Sequence, residues 1–194
     1  MINRFNPNVC ETFYSTNVVI VEGDTEAVIF RELLKRNHSE SDYFVLNSGS
    51  KNNIPFFQRI LNHFHIPYVV VHDSDTRFRY EDKARTIVAK KNNGDPAKNS
   101  AWAINENIWS EIQEGVTLGN FAKRVVSVYE FESQSGYVYD SGLGKPLSAY
   151  NFAVENSYKS DNYAVSALSN IVQGKYEKSW SQEEIEEIPE PING

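Results

Sequence analysis

Apolar residues along the chain alternate between short unbroken runs and longer stretches of helical spacing. Val18–Val21 is a continuous β-branched run, the pattern of a strand buried on both faces. Glu22-Gly23-Asp24-Thr25-Glu26 follows. Ala27–Arg36 then reads as a helix, with Asp24 or Thr25 as its N-cap and Glu26 in the first turn. Tyr43–Leu46 reads as a second strand closed by Asn47-Ser48-Gly49-Ser50. Ile54–Phe64 carries helical spacing at Phe57, Ile60, Leu61 and Phe64, and Pro67–Val71 is a third buried strand ended by His72-Asp73-Ser74-Asp75. The order β-α-β-α-β with unbroken apolar strands predicts an α/β fold: a mostly parallel sheet covered by helices on both faces.

The regularity then breaks. Residues 77–100 are polar and basic, with a loop at Asn92-Asn93-Gly94-Asp95-Pro96. Ala101–Glu114 reads as a helix, and the alternation in Arg124–Phe131 predicts a fourth strand. Gly142, Gly144 and Pro146 mark a turn before helices at Leu147–Asn156 and Tyr163–Val172. The expected organisation is one domain over residues 1–178, with a helical, basic insertion at about 77–120 and C-terminal helices. Residues 179–194 are expected to form an acidic, flexible tail.

A length of 194 residues suits a single core. No apolar run approaches the roughly 20 residues of a membrane span, and Met1–Asn8 lacks an apolar signal core. Cys10 is the single cysteine, which excludes an internal disulfide or a cysteine metal cluster and fits a reducing, cytoplasmic setting. The net charge of -7 argues against a nucleic-acid binder until its distribution is read. Glu183, Glu184, Glu186, Glu187 and Glu190 sit together near the end. Between Arg77 and Lys98, seven basic residues face three acids. A basic stretch beside an acidic cluster suits a metal-dependent phosphodiesterase: the bases hold phosphate and the acids hold metal.

The acids fall where an open α/β sheet places its chemistry, beyond the carboxyl ends of the strands. Glu22 ends the first strand, with Glu26 close behind it. Asp73 and Asp75 end the third, and Glu130 and Glu132 end the expected fourth. Four to six carboxylates on one rim repel one another unless cations intervene, and hard oxygen ligands favour Mg²⁺ or Mn²⁺. Gly23 either gives a tight turn or allows a close approach to the site. His63 and His65 do not share a helix face, and His72 is expected to point away from Asp73, so a zinc site is not expected. Tyr137 and Tyr139 read as packing residues rather than nucleophiles. Lys51, Arg77 and Arg79 follow strand ends and could touch phosphate.

Val19-Ile20-Val21-Glu22-Gly23-Asp24-Thr25-Glu26 followed by Ile66-Pro67 and Asp73-Ser74-Asp75 resembles the TOPRIM pattern. The finer likeness is to the TOPRIM nuclease part of OLD (overcoming lysogenization defect) family endonucleases, in which a later glutamate and a GKP element recur. Here these are Phe131-Glu132 and Gly144-Lys145-Pro146, so the likeness runs from about Asn8 to about Val172. The resemblance implies a Rossmann-like four-stranded sheet. It implies that Glu22, Glu26, Asp73, Asp75 and Glu132 hold metal, that Glu22 also acts as general acid/base, and that Lys145 lies near the scissile phosphate. Glu130 stays an alternative to Glu132.

The residues and the resemblance together lead to the expectation of a metal-dependent endonuclease acting on DNA in anti-phage defence. RNA or tRNA cleavage is the second reading, and a binding module that works only with its ATPase partner is the third. The OLD likeness also implies an ABC-type ATPase as domain or subunit. The chain has no G-x-x-x-x-G-K-[ST] loop of its own, which departs from the family. Homo-oligomerisation and the number of metals stay open.

Overall fold

The computed structural model describes residues 10–175 and 179–191. Met1–Asn8, whose sequence lacks a signal core, lie outside them. The elements are β1 (Asn17–Val21), α1 (Asp24–Asn37), β2 (Tyr43–Asn47), α2 (Ile54–His63), β3 (Tyr68–Asp73), α3 (Ile104–Thr117), β4 (Ala122–Ser127), α4 (Phe131–Ser135), α5 (Lys145–Asn156), α6 (Tyr163–Val172) and α7 (Gln182–Glu186). The strands form one sheet in the order β2-β1-β3-β4, and every neighbouring pair is parallel. Among the described residues, no helix is long and apolar enough to cross a membrane.

Period-two alternation divides each strand between two cores. Val19, Val21, Val45, Val69 and Val71 pack with α1, α5 and α6 on one face. Val18, Ile20, Leu46, Tyr68 and Val70 pack with α2 and α3 on the other. Burial on both faces is why these strands read as unbroken apolar runs.

Three expectations need correction. The helix expected within an insertion is α3, which packs on α2 and β4 and is the crossover that parallel β3 and β4 require. A Cβ on its Gly115 would overlap Asn62, so glycine sets the close approach of α3 to α2. The inserted part is confined to extended segments bridged at Phe78↔Lys98, Tyr80↔Val88 and Lys90↔Pro96.

The fourth strand stops at Ser127, not Phe131. Tyr129 turns left-handed (φ 62), and its backbone N–H donates to Ser74 Oγ at 2.8 Å, drawing the chain out of the sheet. Glu130 and Glu132 are therefore not on a strand. Glu130 is the N-cap residue of α4, and Glu132 lies in its first turn.

The acidic end does not trail away within residues 179–191. Ser179 and Trp180 run along the open edge of β4, with Arg124 N–H donating to Ser179 Oγ (2.9 Å) and Trp180 N–H to Arg124 O (3.4 Å). Ser181 and Glu184 form a capping box that starts α7, and Ile185 is fully buried. Glu183, Glu186 and Glu187 point to solvent while the apolar side docks. Covering the edge also removes a surface on which foreign strands could pair.

Candidate functional site

The register aligns the strand ends. Val21 lies beside Val71, so Glu22 and, one residue further along, Asp73 emerge at the same rim. Glu26 sits one turn into α1, only 8% exposed. Gly23 caps that helix with an extended backbone (φ -144) that any residue could adopt. A Cβ there would sit 3.3 Å from Glu26 Oε2, so the glycine leaves room for a carboxylate, a role that neither the turn nor the close-approach reading named.

Beyond β3 the pairing with β4 continues through the site. Ser74 N–H donates to Ser127 O (2.8 Å) and Asp75 N–H to Tyr129 O (3.0 Å). Asp75 is left-handed (φ 59), a conformation that aspartate tolerates at a cost of about 1 kcal/mol. Asp73 Oδ1 accepts from Phe131 N–H at 2.8 Å, which ties the start of α4, and with it Glu132, to the end of β3. Ser74 is fully buried and Asn105 Nδ2 donates to its carbonyl at 2.7 Å, so α3 braces the turn from behind. Neither Ser74 nor Asn105 stood out in the sequence. A serine between two aspartates signals nothing by spacing, and Asn105 reads as an ordinary helix residue.

The electrostatics follow from burial and like charge. Burial, then the charges of Glu22, Glu26, Asp75 and Glu132, hold the Asp73 carboxyl well above the usual range. Glu26 is pushed up to about 7 by burial, with Glu22, Glu132 and Asp24 adding. Glu22 is raised by burial, partly offset by Lys51, and Asp75 and Glu132 add to it. Glu22 Oε2 is buried without a hydrogen-bond partner. An all-oxygen donor set with more carboxylates than the single ammonium of Lys51 offsets fits a hard divalent cation. Among the described residues, however, no three acidic or histidine side chains are already gathered into a metal-binding cluster.

Five of the expected ligands thus share one end of the sheet: Glu22, Glu26, Asp73, Asp75 and Glu132. Glu130 instead pairs with Arg85 at 2.7 Å. Lys51 corrects another expectation. It is 3% exposed, and its ammonium donates inward to the Asp73 carbonyl and the Asp75 carboxylate rather than outward to phosphate. Arg77 is also turned away, over the Trp102 ring (5.6 Å) and toward Ile188 O. Of the three expected phosphate contacts, only Arg79 stays exposed. Lys145 is exposed at the start of α5 and shows no contact with the carboxylates. His72 points away from the rim as expected. It is buried, donates from Nδ1 to Asp73 O (2.8 Å), and is held neutral by burial and by the charges of Lys51 and Arg124. Tyr137 is buried against Phe152.

The TOPRIM domain of overcoming lysogenization defect protein-like proteins matches residues 13–75. This stretch is OLD-like TOPRIM. The match spans β1 to the second aspartate of Asp73-Ser74-Asp75 and so includes Glu22 and Glu26. Glu132 and Lys145 lie beyond it. The four-stranded parallel sheet agrees with the TOPRIM architecture. TOPRIM domains bind divalent metals and belong among metal-dependent, nuclease-type proteins, and residues 13–75, about a third of the chain, are similar to them. No curated protein matches the chain.

Proposed function

We propose that the chain is an endonuclease that hydrolyses phosphodiester bonds in DNA with Mg²⁺ or Mn²⁺ held by Glu22, Glu26, Asp73, Asp75 and Glu132. The observation that carries this is the half-buried carboxylate rim, in which Glu22 Oε2 has no partner and burial, then like charges, raise Asp73 and Glu26. Cations bound there would supply charge to offset the phosphate and acidity for the attacking water. Glu22 exchanges a proton at its partnerless oxygen, which suits a general acid/base with a raised pKa. Lys51 holds the Asp75 carboxylate in place. Glu132 is preferred over Glu130 because its charge acts on Glu22, Glu26 and Asp73, whereas Glu130 is engaged by Arg85. The assignment of Lys145 to the scissile phosphate rests on the resemblance to OLD proteins. So do a role in anti-phage defence and an ABC-type ATPase partner, present as domain or subunit.

The test is plasmid nicking with Mn²⁺ by wild type and Asp73→Ala. Wild type should nick supercoiled DNA, and the variant should lose at least roughly a thousandfold in rate. Equal rates would refute the site.

A further inference from the structure

Residues 77–99 take no part in holding the carboxylates, yet they form one wall of a groove that ends at them. The groove measures about 640 Å³ and is lined by Arg79, Lys83, Arg85 and Asn99 together with Glu130 and Glu132. Its charge is divided, with cations supplied by the bridged segments and acids by the start of α4. Asp82 also lines the basic wall, but it is turned into its own loop. It accepts from the N–H groups of Thr86 and Ile87 and from Thr86 Oγ1.

The three cations differ in how they are held. Arg85 bonds Glu130 Oε2 and lies 5.2 Å over the Tyr129 ring. Arg79 and Lys83 are exposed, and among the described residues their side chains make no ion pair. A planar guanidinium over a ring and two cations without an ion pair, all lining one groove, suit successive phosphates on a strand. An anionic ligand would meet repulsion at Glu130 and Glu132 unless its charges lay against Arg79, Lys83 and Arg85, as the spaced phosphates of a phosphodiester backbone allow.

We propose that this groove binds the phosphodiester backbone of the substrate strand next to the bond that is cut, with Arg79, Lys83 and Arg85 as its phosphate contacts. The assignment rests on the nuclease reading and names the surface on which that substrate lies. Glu130 is then the resting partner from which Arg85 swings to phosphate. Lys51 and Arg77 are left out because both are bonded elsewhere.

Equilibrium anisotropy with a short labelled oligonucleotide tests this, as DNA and as RNA, in EDTA and again in Ca²⁺. Arg79→Glu/Lys83→Glu should weaken binding about tenfold or more and flatten its salt dependence by roughly two phosphate contacts. Both residues are exposed, so circular dichroism should be unchanged. Lys90→Glu/Lys91→Glu makes the same charge change at an exposed site outside the groove and should bind like wild type. The tighter of the DNA and RNA arms identifies the substrate. Wild-type binding by Arg79→Glu/Lys83→Glu, or equal loss from both pairs, overturns the groove but leaves the nuclease reading standing. A wild-type chain that binds no oligonucleotide in either condition overturns both. Asp73→Asn separates the two readings, since it should keep binding while nicking is lost.

Discussion

Arg124 and Asp73 are both charged groups that folding withdraws from water, and the chain treats them in opposite ways. Arg124 is 1% exposed beneath β4. Its guanidinium donates to the carbonyls of Trp180 (2.9 Å) and Asn105 (2.8 Å) and to Gln182 Oε1 (3.4 Å), and lies 4.9 Å from the Trp109 ring centre. Burial lowers its pKa to about 10, against the pull of Glu184 and Glu183, so it stays charged at neutral pH. Asp73 has four like-charged neighbours against the one ammonium of Lys51, and its neighbour Glu22 keeps an oxygen without a partner. A buried charge with its partners complete holds the fold together. A buried group of like charges with partners missing calls for something from outside.

Substitution should expose that contrast, with the largest effect at Arg124. Arg124→Met strands three acceptors under the docked C-terminal segment and should destabilise by about 3 kcal/mol, read as a lower denaturant midpoint. Nicking per folded molecule should persist. Asp73→Asn keeps an acceptor for Phe131 N–H and removes one of the crowded charges. It should gain up to about 1 kcal/mol in EDTA at neutral pH while losing nicking. If Asp73→Asn were the destabilising change and Arg124→Met the silent one, the two clusters would have been assigned the wrong way round.

A smaller effect is expected at Gly23. Gly23→Ala presses a methyl group against Glu26 Oε2 but imposes no backbone strain. It should cost about 0.5 kcal/mol or less, while weakening Mn²⁺ binding several-fold in calorimetry. A change in stability with unaltered Mn²⁺ affinity would make Gly23 a turn residue only.

The sheet was legible in the sequence because parallel strands buried on both faces leave unbroken runs such as Val18–Val21 and Pro67–Val71. Glu22, Asp73 and Asp75 were legible because they stand at or just beyond those strand ends, and Glu26 because it opens the helix that follows the first. The end of β4 was not. Alternation continues through Tyr129 to Phe131, and what stops the strand is Ser74, 55 residues away in sequence. Composition also hid the fate of Lys51. A lysine after a strand reads as surface charge, and only the fold shows it turned onto Asp75. The docked end could have been anticipated in part, since Ser181-Gln182-Glu183-Glu184 is a capping-box pattern. The edge it covers and the buried arginine it serves are tertiary facts that its acidic composition obscured.

The central claim is that the carboxylate rim needs a cation, and thermal stability across pH, in EDTA and in Mn²⁺, tests it most directly. Glu26 near 7 against an ordinary 4.5, with Asp73 and Glu22 shifted the same way, means that the folded chain keeps protons the unfolded chain gives up. That stability is fully present below about pH 4.5 and lost as pH rises through about 7, by a few kcal/mol for Glu26 alone. Buried neutral His72 contributes with the opposite sign below its ordinary 6.5, so the comparison is made above that pH. Between about pH 6.5 and 8, stability in EDTA should fall, Mn²⁺ should remove the fall, and Asp73→Asn should shrink both effects. Melting curves that are flat in EDTA and unmoved by Mn²⁺ would contradict the account.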